Sequence, residues 1–173
     1  MKEIVIGEQH MSVEDNQPIG SSATKVQAAL RAAGLGTTVV EMPASTRTAK
    51  EAAQAIGCTV GQIAKSLVFR ASGSNSAILV IASGTNRVNE GRLAALVGEP
   101  IERATPEFVR ERTGFVIGGV PPIGHPSVLR TWMDRDLLQY ENVWAAAGTP
   151  FAVFAITPGE LQRVTGAVVV EVK

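Results

Sequence analysis

Lys65 lies in Ile63-Ala64-Lys65-Ser66-Leu67-Val68-Phe69, a cation surrounded by apolar residues where a strand is expected. With a period of two, Lys65 shares a face with Leu67 and Phe69, and Ser66 shares the other with Val68. Two roles remain open for the lysine. Its ammonium could snorkel from a strand end, or sit at the mouth of a cavity to hold a phosphate or polarise a reacting carbonyl. A second candidate is the run Gly118-Gly-Val-Pro-Pro-Ile-Gly-His-Pro126, with three glycines and three prolines in nine positions. No regular element accommodates that composition, so it specifies a shaped loop. Gly118 and Gly119 would let backbone N–H groups approach a ligand, or simply make a tight turn. His125 offers a donor or acceptor there, or a structural ring beside a proline. Asp134 ends the apparent strand Val128–Met133; it could point into the same site or cap the residues after it.

The common catalytic signatures are missing. The chain has no GxxxxGK[ST], HExxH, GxSxG or paired CxxC motif. Gly34 and Gly36 lack the third glycine of a dinucleotide loop, and a helix C-cap accounts for Gly34. Cys58, the single cysteine, has no histidine near it in sequence and reads as a small packed side chain. With two histidines and one cysteine there is little from which to build a metal site, so neither a metal nor a cofactor is expected.

Positioning these residues requires a scaffold, and its elements are visible. A helix is expected from Ser21 to Ala33, capped by Ser21 or Ser22, with Val26, Ala29 and Leu30 on one face. Thr37–Glu41 is β-branched and predicts a strand. Thr48-Ala-Lys-Glu51 and Thr157-Pro-Gly-Glu160 are capping boxes; Asn89 and Thr105-Pro106 open two more helices. Strands are expected at 65–71 and 77–83, joined by a turn-rich segment as a hairpin, then near 128–133, 142–146, 151–156 and 167–172. Strands neighbour strands more often than they alternate with helices. The expected class is therefore α+β with a mixed, curved, barrel-like sheet and short surrounding helices. Residues 1–20 lack periodicity and read as a loosely held arm before one domain at 21–173.

Sixteen basic and sixteen acidic residues cancel in a chain of 173, with 45% hydrophobic residues, a globular composition. Residues 1–20 carry one basic and four acidic side chains, which leaves +3 for the remainder. Bulk charge therefore does not hold this protein on nucleic acid, and any such contact is small and local. No apolar run approaches the roughly 20 residues that cross a bilayer, so a cytoplasmic location is expected.

Four segments in order carry a resemblance. They are Thr46-Arg-Thr-Ala49 with Glu51-Ala-Ala53, then Gly61-Gln-Ile-Ala-Lys-Ser-Leu-Val-Phe69, then Thr113-Gly-Phe-Val-Ile-Gly-Gly-Val-Pro-Pro-Ile-Gly124, and the strand ending at Asp134 followed by Val143–Gly148. The set resembles the YbaK-type aminoacyl-tRNA deacylases, which are similar to the editing domain inserted in bacterial prolyl-tRNA synthetases. The likeness implies a hydrolase that removes wrongly attached amino acids from tRNA, often tRNA for proline. It places the motif lysine at Lys65, the following hydroxyl at Ser66, the glycine loop at Gly118–Gly119 and the strand-end aspartate at Asp134. It implies the acceptor end of aminoacyl-tRNA as substrate and a prolyl-tRNA synthetase as a candidate partner. Pro121 stands where many members have serine, and His125 is not general among them; both bear on which amino acid is removed.

An aminoacyl ester is already activated, so its hydrolysis asks for positioning and charge stabilisation more than for a strong nucleophile. On this basis Lys65 would anchor a phosphate or the oxyanion. The Gly118–Gly119 N–H groups would hold the carbonyl, and Ser66, Asp134 and His125 would orient water and the α-amino group. Stiff walls around Gly118–Pro122 would admit alanine, serine, threonine, cysteine or 2-aminobutyrate and exclude proline. The competing classes are a non-catalytic module for tRNA ends or a synthetase, and a barrel for a small nucleotide or amino-acid-like ligand. The charge distribution makes a direct prediction. The logarithm of tRNA affinity should fall with log salt at a slope of order −1 to −3; titration between low and physiological salt checks it, and a slope typical of six to ten phosphate contacts would contradict it.

Overall fold

In the computed structural model, which describes residues 20–173, the hairpin expected in the middle of the chain organises everything else. Strand β2 (Ile63–Ala71) and strand β3 (Ser76–Ser83) pair antiparallel from Ala64↔Ser83 to Ala71↔Ser76. The tight reversal places Asn75 at φ 59, a conformation that asparagine tolerates better than most residues. Around this hairpin lie β1 (Val40–Glu41), β4 (Ile101–Arg103), β5 (Arg130–Asp134), β6 (Val143–Ala146), β7 (Ala152–Ile156) and β8 (Val168–Val170). The eight strands form one sheet in the order β1-β7-β6-β2-β3-β5-β8, with β4 on β2. β6 joins β2, β5 joins β3 and β8 joins β5 in parallel, while the remaining pairs are antiparallel. The class is as expected, α+β with a mixed sheet; β1 and β8 end the path, so the sheet does not close.

Alternation along the central strands builds a core on each face. Leu79, Ile81 and Met133 point one way, to pack with Leu30, Phe115 and Phe154. Ile78, Val80 and Trp132 point the other way, onto Leu93 and Val97. β3 is buried nearly throughout, which explains why its sequence is continuously apolar and not alternating. The helices are α1 (Ser21–Ala32), α2 (Ala49–Ile56), α3 (Glu90–Val97), α4 (Pro106–Thr113) and α5 (Pro158–Thr165), with short 3₁₀ turns at 60–62 and 135–139.

Local chemistry decided most boundaries. The Thr48 and Thr157 capping boxes both form, and Asn89 and Thr105 accept the backbone N–H of Arg92 and Phe108. Two details differ. Gly20, not a serine, occupies the N-cap of α1, without a side-chain cap. The strand expected over 37–41 shrinks to Val40–Glu41, because the buried Gln27 side chain stands in for a neighbouring strand: its Oε1 accepts Val39 N–H at 2.8 Å and its Nε2 donates to the Thr37 carbonyl at 3.2 Å. The arm expected at 1–20 falls, apart from Gly20, outside the described residues.

β2 is flanked unevenly. β6 pairs only with Ile63 and Ala64, and β4 only with Phe69–Ala71. Between them a gap opens on this edge of the sheet.

α2 carries one wall beside that gap, so its N-cap is a test of the scaffold. Thr48→Ala removes the acceptor of Glu51 N–H, at 3.1 Å, and should cost about 1 kcal/mol. Thermal melting should fall by about 2–4 °C, with an unchanged circular dichroism spectrum.

Candidate functional site

The gap in the sheet opens into two cavities of about 520 and 670 Å³ that share Lys65, Ser66, Leu67, Ile117, Gly118 and Val120. One side is polar, with Thr85, Asn86, Arg87, Glu90 and Arg103 on its wall. The other is largely apolar, walled by Ile56, Ile63, Val116, Trp144 and Val153, with Arg47 at its margin. Together they hold far more than one small amino acid, and their volume alone excludes nothing as small as proline.

Lys65 is half-buried, with Nζ 3.5 Å from the Gly84 carbonyl. Burial lowers its pKa from the usual lysine value; the carboxylate of Asp134 pulls the other way and Arg87 adds to the lowering. Among the described residues this long hydrogen bond to Gly84 is the ammonium's one direct contact, and Lys65 lines both cavities. Ser66, next to it, presents a buried Oγ with no hydrogen-bond partner among the described residues, a condition that ordinarily costs about 1–3 kcal/mol.

The glycine loop closes over these groups. Gly118 has φ +97, a backbone conformation that favours glycine, and a Cβ there would lie 2.9 Å from Nε of the exposed Arg47 side chain, which would have to move aside. Gly119 abuts the Thr149 backbone, where a Cβ would come within 2.8 Å of its N, Cα and C atoms. The Gly119 N–H donates to the Val116 carbonyl at 3.0 Å, and its own carbonyl accepts Gly148 N–H at 2.9 Å. Gly119 is therefore spent on shaping the loop, and its N–H is turned away from any substrate. Gly118 alone of the pair lines the cavities.

Residues 43–164 match the family model described as the aminoacyl-tRNA editing domain. The chain belongs to the aminoacyl-tRNA editing family. A solved structure described as a candidate trans-editing enzyme for prolyl tRNA synthetase superposes with a TM-score of 0.85 at 55% identity, covering 90% of this chain and 99% of that one. The uncharacterized protein YwhH of Bacillus subtilis is 33% identical over 125 residues, 72% of this chain and 79% of its own. A proline–tRNA ligase of Nitratidesulfovibrio vulgaris is 32% identical over 128 residues, 73% of this chain but 21% of that enzyme. The editing domain thus spans about a fifth of the ligase.

Within the editing domain, the sequence-predicted residues divide. Lys65, Ser66 and Gly118 meet at the shared wall. Asp134 lies behind it, 1% exposed. Its Oδ2 accepts Ser83 N–H at 3.0 Å and Asn86 Nδ2 at 2.8 Å, and its Oδ1 accepts Asp136 N–H at 2.9 Å. Asp134 is the cap of the turn at 135–139 and the anchor of the loop carrying Gly84, Asn86 and Arg87. Pro121 is buried away from both cavities, where Val120 takes the lining position. His125 lies apart as well: its Nε2 is 2.8 Å from the Pro121 carbonyl, and its ring meets Phe115 edge-on. A carbonyl only accepts, so Nε2 carries the hydrogen, and His125 braces the loop from behind.

Cys58 packs against the apolar patch beneath α2, and burial raises its thiol pKa, which keeps it a thiol. The polar wall of Asn86, Arg87 and Arg103 was not visible in the sequence. Arg87 and Arg103 are exposed arginines whose convergence depends on the 84–87 loop and β4, and no local pattern marks them. Thr46 and Arg47 lay inside a recognised segment yet had no role assigned; Thr46 is buried, its Oγ1 donating to the Pro150 carbonyl. Among the described residues no group of three His, Cys, Asp or Glu side chains could hold a metal ion. No helix among them is long and apolar enough to cross a membrane.

Burial depresses the His125 pKa below the ordinary histidine value, and the hydrogen bond to Pro121 opposes this only in part. The unfolded chain then takes up the proton first. The contribution of His125 is complete above the ordinary value of about 6.5 and is lost as pH falls through it toward the folded pKa. Melting temperature should therefore drop on acidification more steeply for the wild type than for His125→Asn, and parallel curves would contradict this.

Proposed function

We propose that this chain is a trans-acting aminoacyl-tRNA deacylase that hydrolyses tRNA carrying a wrong, small amino acid, with tRNA for proline as the leading substrate. The convergence of Lys65, Ser66 and Gly118 on one wall between a polar and an apolar cavity carries the proposal. Membership of the editing family and the likeness to a trans-editing structure support it. The polar cavity, with Lys65, Arg87 and Arg103, suits the phosphate and ribose of the terminal adenosine. The apolar one suits a side chain or base.

In the reaction, water attacks the ester carbonyl, the tetrahedral oxyanion collapses, and the ribose oxygen leaves with a proton. No histidine lines the cavities among the described residues, and the one carboxylate there, Glu90, is paired with Arg103 at 3.4 Å, so a substrate hydroxyl or amine is taken as the base. The protein's part is to hold the ester and stabilise charge: Lys65 by its ammonium, Gly118 by its backbone N–H, for which no protein acceptor is found among the described residues. Asp134, Gly119 and His125 position these groups from behind.

Alanyl-, seryl-, threonyl-, cysteinyl- and prolyl-tRNA, compared at matched concentrations, test this. The small substrates should be hydrolysed and prolyl-tRNA spared. Lys65→Ala should lower kcat/KM by about 10²–10³-fold with an unchanged melting curve. Tight binding with no hydrolysis of any substrate would instead identify a non-catalytic module, and rapid loss of proline would overturn the selectivity.

A further inference from the structure

The edge of β2 that faces the gap keeps unused main-chain hydrogen-bonding groups, and their direction follows from the register. Ser72, just past β2, donates its N–H to Pro100 on the β4 side at 2.9 Å. Backbone polar groups alternate from side to side along a strand, so those of Ser66, Val68 and Arg70 face that side too, while Lys65, Leu67 and Phe69 serve β3. β3 agrees: Ser83 N–H points away from β2, to Asp134, which turns its neighbour Ala82 toward Lys65. On the gap side, β6 stops at Ile63 and Ala64. The next donor in that parallel ladder would be Gly148 N–H, and the Gly119 carbonyl has taken it. β4 begins only at Phe69.

The Ser66 N–H, the Ser66 carbonyl and the Val68 N–H are therefore unpartnered among the described residues. Residues 65–68 are all half-buried whichever face they occupy, as an open edge requires, whereas Ile63, Ala64 and Phe69 beside them are buried. The unpartnered Ser66 Oγ lies at the same point.

We infer that the aminoacyl group of the substrate docks on this edge as a one-residue β-strand. Its α-ammonium donates to the Ser66 carbonyl and its own carbonyl oxygen accepts from the Ser66 N–H, as two opposed residues do in a hydrogen-bonded antiparallel pair. In this antiparallel sense the ester oxygen and ribose run on past Lys65 toward Ala64, so the Val68 N–H, at the ammonium end, is left without a substrate acceptor. A donor beside an acceptor at one-residue spacing selects an α-amino acyl group; a phosphate or carboxylate brings only acceptors and is repelled by the Ser66 carbonyl. The arrangement also distinguishes proline, whose ring fixes two ammonium hydrogens where other amino acids rotate three. This docking mode rests on the proposed deacylation, and it assigns amino-acid recognition to main chain.

The test is amide hydrogen exchange on the wild-type protein with two adenosine probes. One bears a non-hydrolysable 3′-alanylamino group, and the other its lactyl counterpart, with a hydroxyl in place of the ammonium. Without probe, the Ser66 and Val68 amides should exchange far faster than those of Lys65 and Leu67. The alanyl probe should slow Ser66 and leave Val68 exchanging, and the lactyl probe should bind about 10–100-fold more weakly. Amides already protected in the free protein, equal binding of the two probes, binding that leaves the Ser66 amide unmoved, or no binding at millimolar probe each overturn the inference. A deacylation assay on the same preparation separates the two ideas. Hydrolysis with an unmoved Ser66 amide refutes this docking and leaves the enzyme, whereas a protected Ser66 amide without hydrolysis keeps the docking and refutes the enzyme.

Discussion

The hydrogen bond from Gly148 N–H to the Gly119 carbonyl sets the geometry on which the site depends. It diverts the donor that would have continued the β2–β6 ladder and ties the glycine loop to the end of β6. Only a residue without a Cβ comes this close to Thr149, so the contact demands glycine for steric reasons before any catalytic one. Ending the ladder early leaves room between β6 and β4, and the cavities occupy that room.

A second brace sets the opposite wall. Asp134, sealed from solvent, collects Ser83, Asn86 and Asp136 on its two oxygens. This holds the loop whose Gly84 carbonyl faces the Lys65 ammonium. Lysine is thus kept in a partly dry setting without a tight ion pair. Desolvation leaves the charge strongly felt, and among the described residues only the long contact to the Gly84 carbonyl engages it. The two braces come from opposite sides of β2, one fixing the loop at 118–120 and the other the loop at 84–87.

Much of this was legible in the sequence. The capping boxes at Thr48 and Thr157 announced their helices because a cap is a local matter, satisfied within four residues. Lys65, Ser66 and Gly118 stood out for being at odds with their surroundings. The unread parts depended on direction. Gly119, Asp134 and His125 each spend their polar groups on holding a loop. Which way a carbonyl or a carboxylate points is decided by strands far apart in sequence. The shortening of the 37–41 strand has the same origin, since nothing near Thr37 reveals that Gln27 satisfies it from α1.

The open stretch of β2 bears on how such a protein could be retargeted. Every residue except proline carries both a backbone N–H and a carbonyl, so a grip made from the pair at 66 survives almost any point substitution there. The side chains around it, Val116, Ile117 and Val120 among them, are then free to change the size and polarity of the chamber without loosening the hold on the ester. In the docking inferred above, grip and taste are separately adjustable, and a small set of wall residues would suffice to move one scaffold from one misattached amino acid to another.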